Sequence, residues 1–165
     1  MNSIYLIGFM GAGKTMIGKK LAAFLNKEVI DTDEEIIKAE KKSINAIFAE
    51  QGEEYFRLLE SKMLKDLSNR DAIITTGGGI VVKPENRQTL KENGNVFFLY
   101  ATPEEIFKRL ENDQSRPLLK GDKMARIRDL YNNRMPLYRE AANVIIDTTN
   151  KDTGEIIKEI IKCLE

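Results

Sequence analysis

Gly8-Phe9-Met10-Gly11-Ala12-Gly13-Lys14-Thr15 sets Gly8 and Gly13 with four residues between them and follows them at once with Lys and Thr. That spacing suits a backbone cradle for phosphate: N–H groups line the loop, a lysine ammonium reaches the outer phosphates and a hydroxyl is available to magnesium. A glycine-rich turn carrying Lys and Thr by accident is the plain alternative. The flanks argue against it. Ser3-Ile4-Tyr5-Leu6-Ile7 reads as a short strand, while Ile17, Leu21, Phe24 and Leu25 recur at helical spacing. A strand, a glycine turn and a helix start bring the positive helix end to the anion. Gly11, Ala12, Gly13, Lys14, Thr15 and Met16 are thus the candidate nucleotide-binding run, with Lys14 as a catalytic cation.

Other residue types fit the same chemistry. Asp31-Thr32-Asp33 follows a short run, Glu28-Val29-Ile30, that reads as a second strand. An Asp-x-Asp can be an ordinary turn and helix cap. Beside a phosphate loop it is also a magnesium site, because magnesium takes hard oxygen ligands and keeps several waters. Thr15, Asp31 and Asp33 are the candidate metal ligands, and Asp33 is also a candidate to orient or deprotonate an acceptor hydroxyl. The later strand that carries the second acid in many nucleotide hydrolases ends here in Thr75-Thr76-Gly77, without a carboxylate.

Gly77-Gly78-Gly79 reads either as a flexible connector or as a place where backbone approaches a ligand closely. Arg57 and Arg134 taken singly read as solvated surface charges; projecting into one cleft they would offer forked donors for a carboxylate or phosphate. Arg116 stands in a polar stretch from Asp113 to Lys123 that contains Pro117 and Gly121 and reads as a surface loop. Closing over a triphosphate, it would neutralise charge and exclude water.

Composition narrows the chemistry further. The 165 residues contain no histidine, which excludes His-based acid–base catalysis and His-ligated metals and suits phosphoryl transfer, where positioning and electrostatics dominate. Lys plus Arg and Asp plus Glu both total 26, so net charge suggests neither a nucleic-acid surface nor an acidic membrane, and a small-molecule partner is expected. The apolar N-terminal run is too short for a signal peptide or a membrane span, so a cytoplasmic location is expected; the chain is also expected to be a monomer. Cys163, the single cysteine, falls in an apolar stripe with Ile156, Ile157, Ile160 and Leu164 and is expected to pack there.

No Pro/Gly/Ser-rich linker divides the chain, so one domain over 1–165 is expected. Ser43 is a candidate cap for a short helix with Ile44, Ile47 and Phe48, separated by Gly52 from a longer one. Ala72 to Thr76 reads as a strand, Pro84 opens a helix that stops near Gly94, and Val96-Phe97-Phe98-Leu99-Tyr100 reads as a strand covered on both faces. Thr102-Pro103-Glu104-Glu105 is a capping box. A helix with Ile127, Leu130 and Tyr131 is expected before Pro136, then a strand over Val144-Ile145-Ile146-Asp147 and a helix from about Thr153. Strands alternating with helices imply an α/β fold, a parallel sheet with helices on both faces. The chemistry-bearing loops all follow strands, where ligands gather in such sheets.

Taken in order, these motifs resemble those of the shikimate kinase family. The resemblance runs from Gly8–Thr15 through Asp31-Thr32-Asp33, the segment from Ile47-Phe48 to Phe56-Arg57 with Glu60, and Gly77-Gly78-Gly79. It ends in Arg116-Pro117-Leu118-Leu119 and Arg134-Met135-Pro136-Leu137-Tyr138. It implies transfer of the γ-phosphate of ATP to the 3-hydroxyl of shikimate, in the pathway to chorismate and the aromatic amino acids. It also implies a three-layer P-loop fold with a five-stranded parallel sheet in the order 2-3-1-4-5, a substrate-binding region over about 34–60 and a lid over about 113–123. By the same resemblance Arg57 and Arg134 hold the shikimate carboxylate, Asp33, Gly78 and Gly79 meet its hydroxyls, and Phe48 and Phe56 line the pocket. Glu60 holds Arg57, Arg116 reaches the phosphates and Arg109 flanks adenine. Family members often carry proline just after the last strand, whereas Asp147 to Thr153 has none. A P-loop kinase for gluconate or a nucleoside monophosphate is the nearest rival reading, and a nucleotide switch a more distant one, lacking its Asp-x-x-Gly sequence.

Overall fold

The computed structural model describes residues 3–111 and 123–165; all of the expected lid but its last residue, Arg116 included, lies outside the described residues. Five strands form one sheet: β1 (Ile4–Ile7), β2 (Glu28–Asp31), β3 (Ala72–Thr75), β4 (Val96–Tyr100) and β5 (Val144–Asp147). Their order is β2-β3-β1-β4-β5 and each pairing is parallel, as the resemblance implied. Burial explains the composition. β1 and β3 are buried throughout and β4 in all but its last residue, which accounts for their predominantly apolar sequences. The edge strands β2 and β5 each bury one residue fully, Ile30 and Ile146, and tolerate charge elsewhere.

Helices connect the strands: α1 (Lys14–Leu25), α2 (Thr32–Glu40), α3 (Ile44–Leu67), α4 (Pro84–Asn93), α5 (Pro103–Glu111), α6 (Lys123–Ala141) and α7 (Thr153–Leu164). The main core joins the sheet to α1, the C-terminal end of α3, α4, α5, α6 and α7. Ile36, Ile47 and Phe56 form a second, smaller core between α2 and α3. The two helices expected on either side of Gly52 run as one element with a kink there, at φ 85° and ψ 170°. Ser43 caps α3 by accepting a bond from the Ala46 N–H at 3.1 Å. In the expected capping box Thr102 accepts from the Glu105 N–H, but the Glu105 carboxylate turns to Arg109 instead. No helix among the described residues is long and apolar enough to cross a membrane.

Three expectations are corrected. α6 does not stop before Pro136 but carries it in its interior. Proline removes one intrahelical bond at a cost of about 3 kcal/mol, and packing beyond it holds the helix: Tyr138 and Ala141 are fully buried, with Tyr138 stacked on Phe98 at 5.0 Å. Phe24 is 67% exposed, because it lies about a quarter-turn from the face of α1 that buries Gly18, Leu21 and Ala22. Cys163 is exposed, on the flank of the apolar stripe in the last turn of α7.

α1 seats on the sheet through Gly18, which faces Thr75 so closely that a Cβ there would collide with the Thr75 methyl group. Helix propensity alone would favour alanine by about 1 kcal/mol, but the collision outweighs it. Gly18→Ala should therefore lose about 1–3 kcal/mol in urea unfolding. Thr75→Ser, which removes only that methyl, should restore part of the loss; a stabilised Gly18→Ala protein would contradict this packing.

Candidate active site

The first half of the site is built from the turn between β1 and α1. Gly13, with φ 93°, is the N-cap of α1, no side chain caps the helix, and its first turn holds no acid. The N–H groups there are left for an external anion. A cavity of about 330 Å³ lies against residues 10–16, Arg109 and Leu110. Lys14 folds back on its own loop, donating to the carbonyls of Gly8 and Phe9. Thr15 and Met16 are exposed. A second cavity, of about 530 Å³, lies elsewhere, between Phe24 on α1 and Ile157 and Ile161 on α7. It holds none of these groups.

Arg109 on α5 joins three elements. Its Nη1 donates to the carbonyls of Gly11 at 3.2 Å and Ala12 at 3.5 Å. Nη2 donates to the Thr148 carbonyl at 3.3 Å, and Nε to Glu105 Oε1 at 3.1 Å.

Asp31 and Asp33 stand beside this loop with different tasks. Asp31 pairs in register with Thr75 on β3. Its Oδ1 caps α2 by accepting from the Glu34 N–H at 3.1 Å, and its Oδ2 accepts from Thr75 Oγ1 at 2.9 Å. The helix-cap reading therefore holds for Asp31. Thr75, at the end of β3 where the sequence offers no acid, thus orients a carboxylate one strand over. Asp33 has a buried Oδ1 without a protein partner. Burial pushes its carboxyl up and the charge of Asp31 adds to this, while Lys14 and Arg57 oppose both. Asp33 thus lies within electrostatic reach of the loop lysine on one side and Arg57 on the other. Thr15, Asp31 and Asp33 are hard oxygen donors, and the unpartnered Asp33 oxygen fits a cation such as magnesium.

The second half of the site surrounds the three glycines after β3. A Cβ at Gly77 would lie 2.9 Å from Asp33 Oδ1, and one at Gly79 would lie 2.6 Å from Cζ and Nη2 of Arg57. A Cβ at Gly78 would meet Arg134 Nη1 at 3.4 Å. The glycines bring backbone against three charged side chains from α2, α3 and α6, which the connector reading does not explain. Arg57 is not a solvated surface charge: it is only 9% exposed. Its Nη1 donates to Glu60 Oε1 at 2.7 Å and its Nε to Glu53 Oε2 at 3.2 Å. Its guanidinium lies over the Phe56 ring at 5.4 Å, and Phe56 packs against Phe48 at 5.0 Å. Burial would lower the Arg57 pKa, but Glu60 and Glu53 raise it further. At Glu60 burial wins and pushes the carboxyl up to about 7, although Arg57 opposes it. Arg134 Nε is buried without a protein partner. The two arginines thus keep donor capacity near the glycine backbone.

Sequence reasoning gave no role to Tyr138, Thr75 or Glu53. Tyr138 donates its hydroxyl to the Gly78 carbonyl at 2.6 Å, fixing the middle peptide of the glycine run. Its spacing four residues after Arg134, on one helix face, was the available signal. Glu53 carried the same signal relative to Arg57. Thr75 carried none, since its contact depends on strand register.

Residues 10–165 match the family model for shikimate kinase. The shikimate kinase of Bacillus cereus is 47% identical over 160 residues, covering 97% of this chain and 96% of that protein. Among solved structures, shikimate kinase from Acinetobacter baumannii in complex with shikimate has a TM-score of 0.89 at 38% identity, covering 99% of this chain and 93% of that one. Shikimate kinase from Aquifex aeolicus has a TM-score of 0.86 at 38% identity, covering 98% and 95%. These matches span nearly the full length of this chain and of its relatives, and the chain belongs to the shikimate kinase family.

Proposed function

We propose that this site transfers the γ-phosphoryl group of ATP to the 3-hydroxyl of shikimate, giving shikimate 3-phosphate and ADP. The observation that carries the reading is the approach of Asp33, Arg57 and Arg134 to one run of glycine backbone beside a phosphate loop. An acceptor with one carboxylate and several hydroxyls complements that set: two arginines for the carboxylate, one aspartate and exposed peptide groups for hydroxyls. Gluconate and nucleoside monophosphates lack that combination on a rigid ring.

In this reading Arg57 and Arg134 hold the carboxylate and Phe48 and Phe56 wall the ring. The backbone at Gly78 and Gly79 meets the hydroxyls. Asp33, whose carboxyl burial pushes up while Lys14 and Arg57 oppose the rise, stands to accept the hydrogen bond of the reacting hydroxyl. Lys14 and the N–H groups of residues 11–16 hold the phosphates, Arg109 flanks the base, and Arg116 closes from the lid. Thr15, Asp31 and Asp33 would hold magnesium, which would supply positive charge against the phosphates. Residues 34–60 form the acceptor-binding region and residues 113–123 the lid of a single domain over 1–165. The proposal extends to a cytoplasmic monomer.

ADP release measured with shikimate, quinate, gluconate or AMP should depend on shikimate and on magnesium; release without shikimate dependence would sink the reading. Asp33→Asn should lower kcat about 10²- to 10⁴-fold in a folded protein, and retained turnover would remove Asp33 from the mechanism. Glu60 supplies a pH test. Its folded-state pKa of about 7 exceeds its ordinary 4.5, so its contribution to stability is complete below about 4.5 and is lost as pH rises through about 7. Glu60→Gln does not titrate. The Tm gap between wild type and Glu60→Gln should narrow from about pH 5 to about pH 8; a gap that widens would contradict a burial-dominated carboxyl.

A further inference from the structure

The adenine-flanking role given to Arg109 uses only the flat face of its guanidinium, whereas the structure spends its N–H groups on protein oxygens. We propose that Arg109 is a positioning residue for the phosphate loop, closing its turn through the Ala12 amide and setting the direction of the Gly13 amide that faces phosphate, whether or not a base is bound. The inference rests on the reading of residues 8–15 as a phosphate site and goes beyond it.

Gly11 and Gly13 both have positive φ, 81° and 93°, so the two peptides between them lie between residues of unusual freedom. Arg109 Nη1 donates to both carbonyls of that stretch, Gly11 at 3.2 Å and Ala12 at 3.5 Å. A peptide unit is planar and trans, so a pinned carbonyl fixes the direction of the next N–H. The two N–H groups set this way belong to Ala12 and Gly13. The Ala12 N–H closes the turn onto the Phe9 carbonyl at 3.1 Å. The Gly13 N–H opens the helix-start cradle.

The brace is itself held. Glu105, one turn earlier on α5, accepts from Arg109 Nε at 3.1 Å. Thr148 accepts from Nη2 through its carbonyl at 3.3 Å and through its hydroxyl oxygen at 3.4 Å. Thr148 is buried and anchored to β4, its N–H and hydroxyl both donating to the Tyr100 carbonyl at 2.7 and 2.9 Å. A charged donor fixed at three points restrains two glycine-flanked peptides at little entropic cost. A lysine has neither the reach in two directions nor the plane.

Ligands with and without the base separate the two roles. Calorimetric titration of wild type, Arg109→Ala, Arg109→Lys and Glu105→Ala with inorganic pyrophosphate, ADP and shikimate, in magnesium, reads them directly. Arg109→Ala should weaken pyrophosphate about tenfold and ADP by at least that factor, with shikimate affinity unchanged. Arg109→Lys should recover only part. Glu105→Ala, whose side chain touches no phosphate in this scheme, should shift pyrophosphate in the same direction by a smaller factor. Unchanged pyrophosphate affinity with weakened ADP would assign Arg109 to the base alone and overturn the proposal. A parallel loss of shikimate affinity would overturn it too, as a general loss of fold. Wild-type protein that fails to bind pyrophosphate would refute the phosphate-loop reading and the brace together.

Discussion

Three consecutive residues without side chains, at the end of a fully buried strand, are the constraint on which the acceptor half of the site depends. β3 delivers backbone to the carboxyl edge of the sheet, where side chains at positions 77 and 79 would occupy the space that Asp33 and Arg57 now use and one at position 78 would stand in contact with Arg134. Each of those three comes from a different helix. Their common feature is the glycine backbone they approach. Tyr138 holds that backbone from α6, and its own burial under Phe98 keeps α6 regular through Pro136.

Charge is managed around this constraint by pairing rather than by exposure. Burying a guanidinium without a partner costs several kcal/mol, and Glu60 removes most of that cost for Arg57. Glu60 then bears its own desolvation, visible in a carboxyl raised to about 7. Its second oxygen, like Asp33 Oδ1 and Arg134 Nε, has no protein partner. Buried polar atoms left unsatisfied in this way are costly in the free protein, and they cluster where the proposed acceptor and metal would supply partners. The donor half is organised by the same logic. An uncapped helix start without acids, and a lysine parked on its own loop carbonyls, hold positive potential ready for phosphate.

Much of this was legible in the sequence because the determining interactions are local. Gly8 to Thr15 needs only a strand before and a helix after, and the sheet centre announces itself through uninterrupted apolar runs such as Val96 to Leu99. Pro84 and Gly94 bound α4 by backbone geometry alone. Other features depend on distant partners. Arg57 resembles a surface charge until the approach of Gly79 is known, and Arg109 reaches a carbonyl 98 residues away in sequence. Pro136 misleads because tertiary packing outweighs its local cost. Phe24 and Cys163 misleadingly match a helical period, yet they fall on the flanks of their stripes.

The central claim is that the glycine at position 79 exists to let Arg57 stand against backbone and meet the acceptor. Shikimate and ADP affinities of Gly79→Ala, measured by calorimetry beside wild type, test it most directly. The account predicts a loss of about tenfold or more for shikimate with ADP affinity retained, because only the acceptor arginine is displaced. Unchanged shikimate binding, or an equal loss of both ligands, would contradict it.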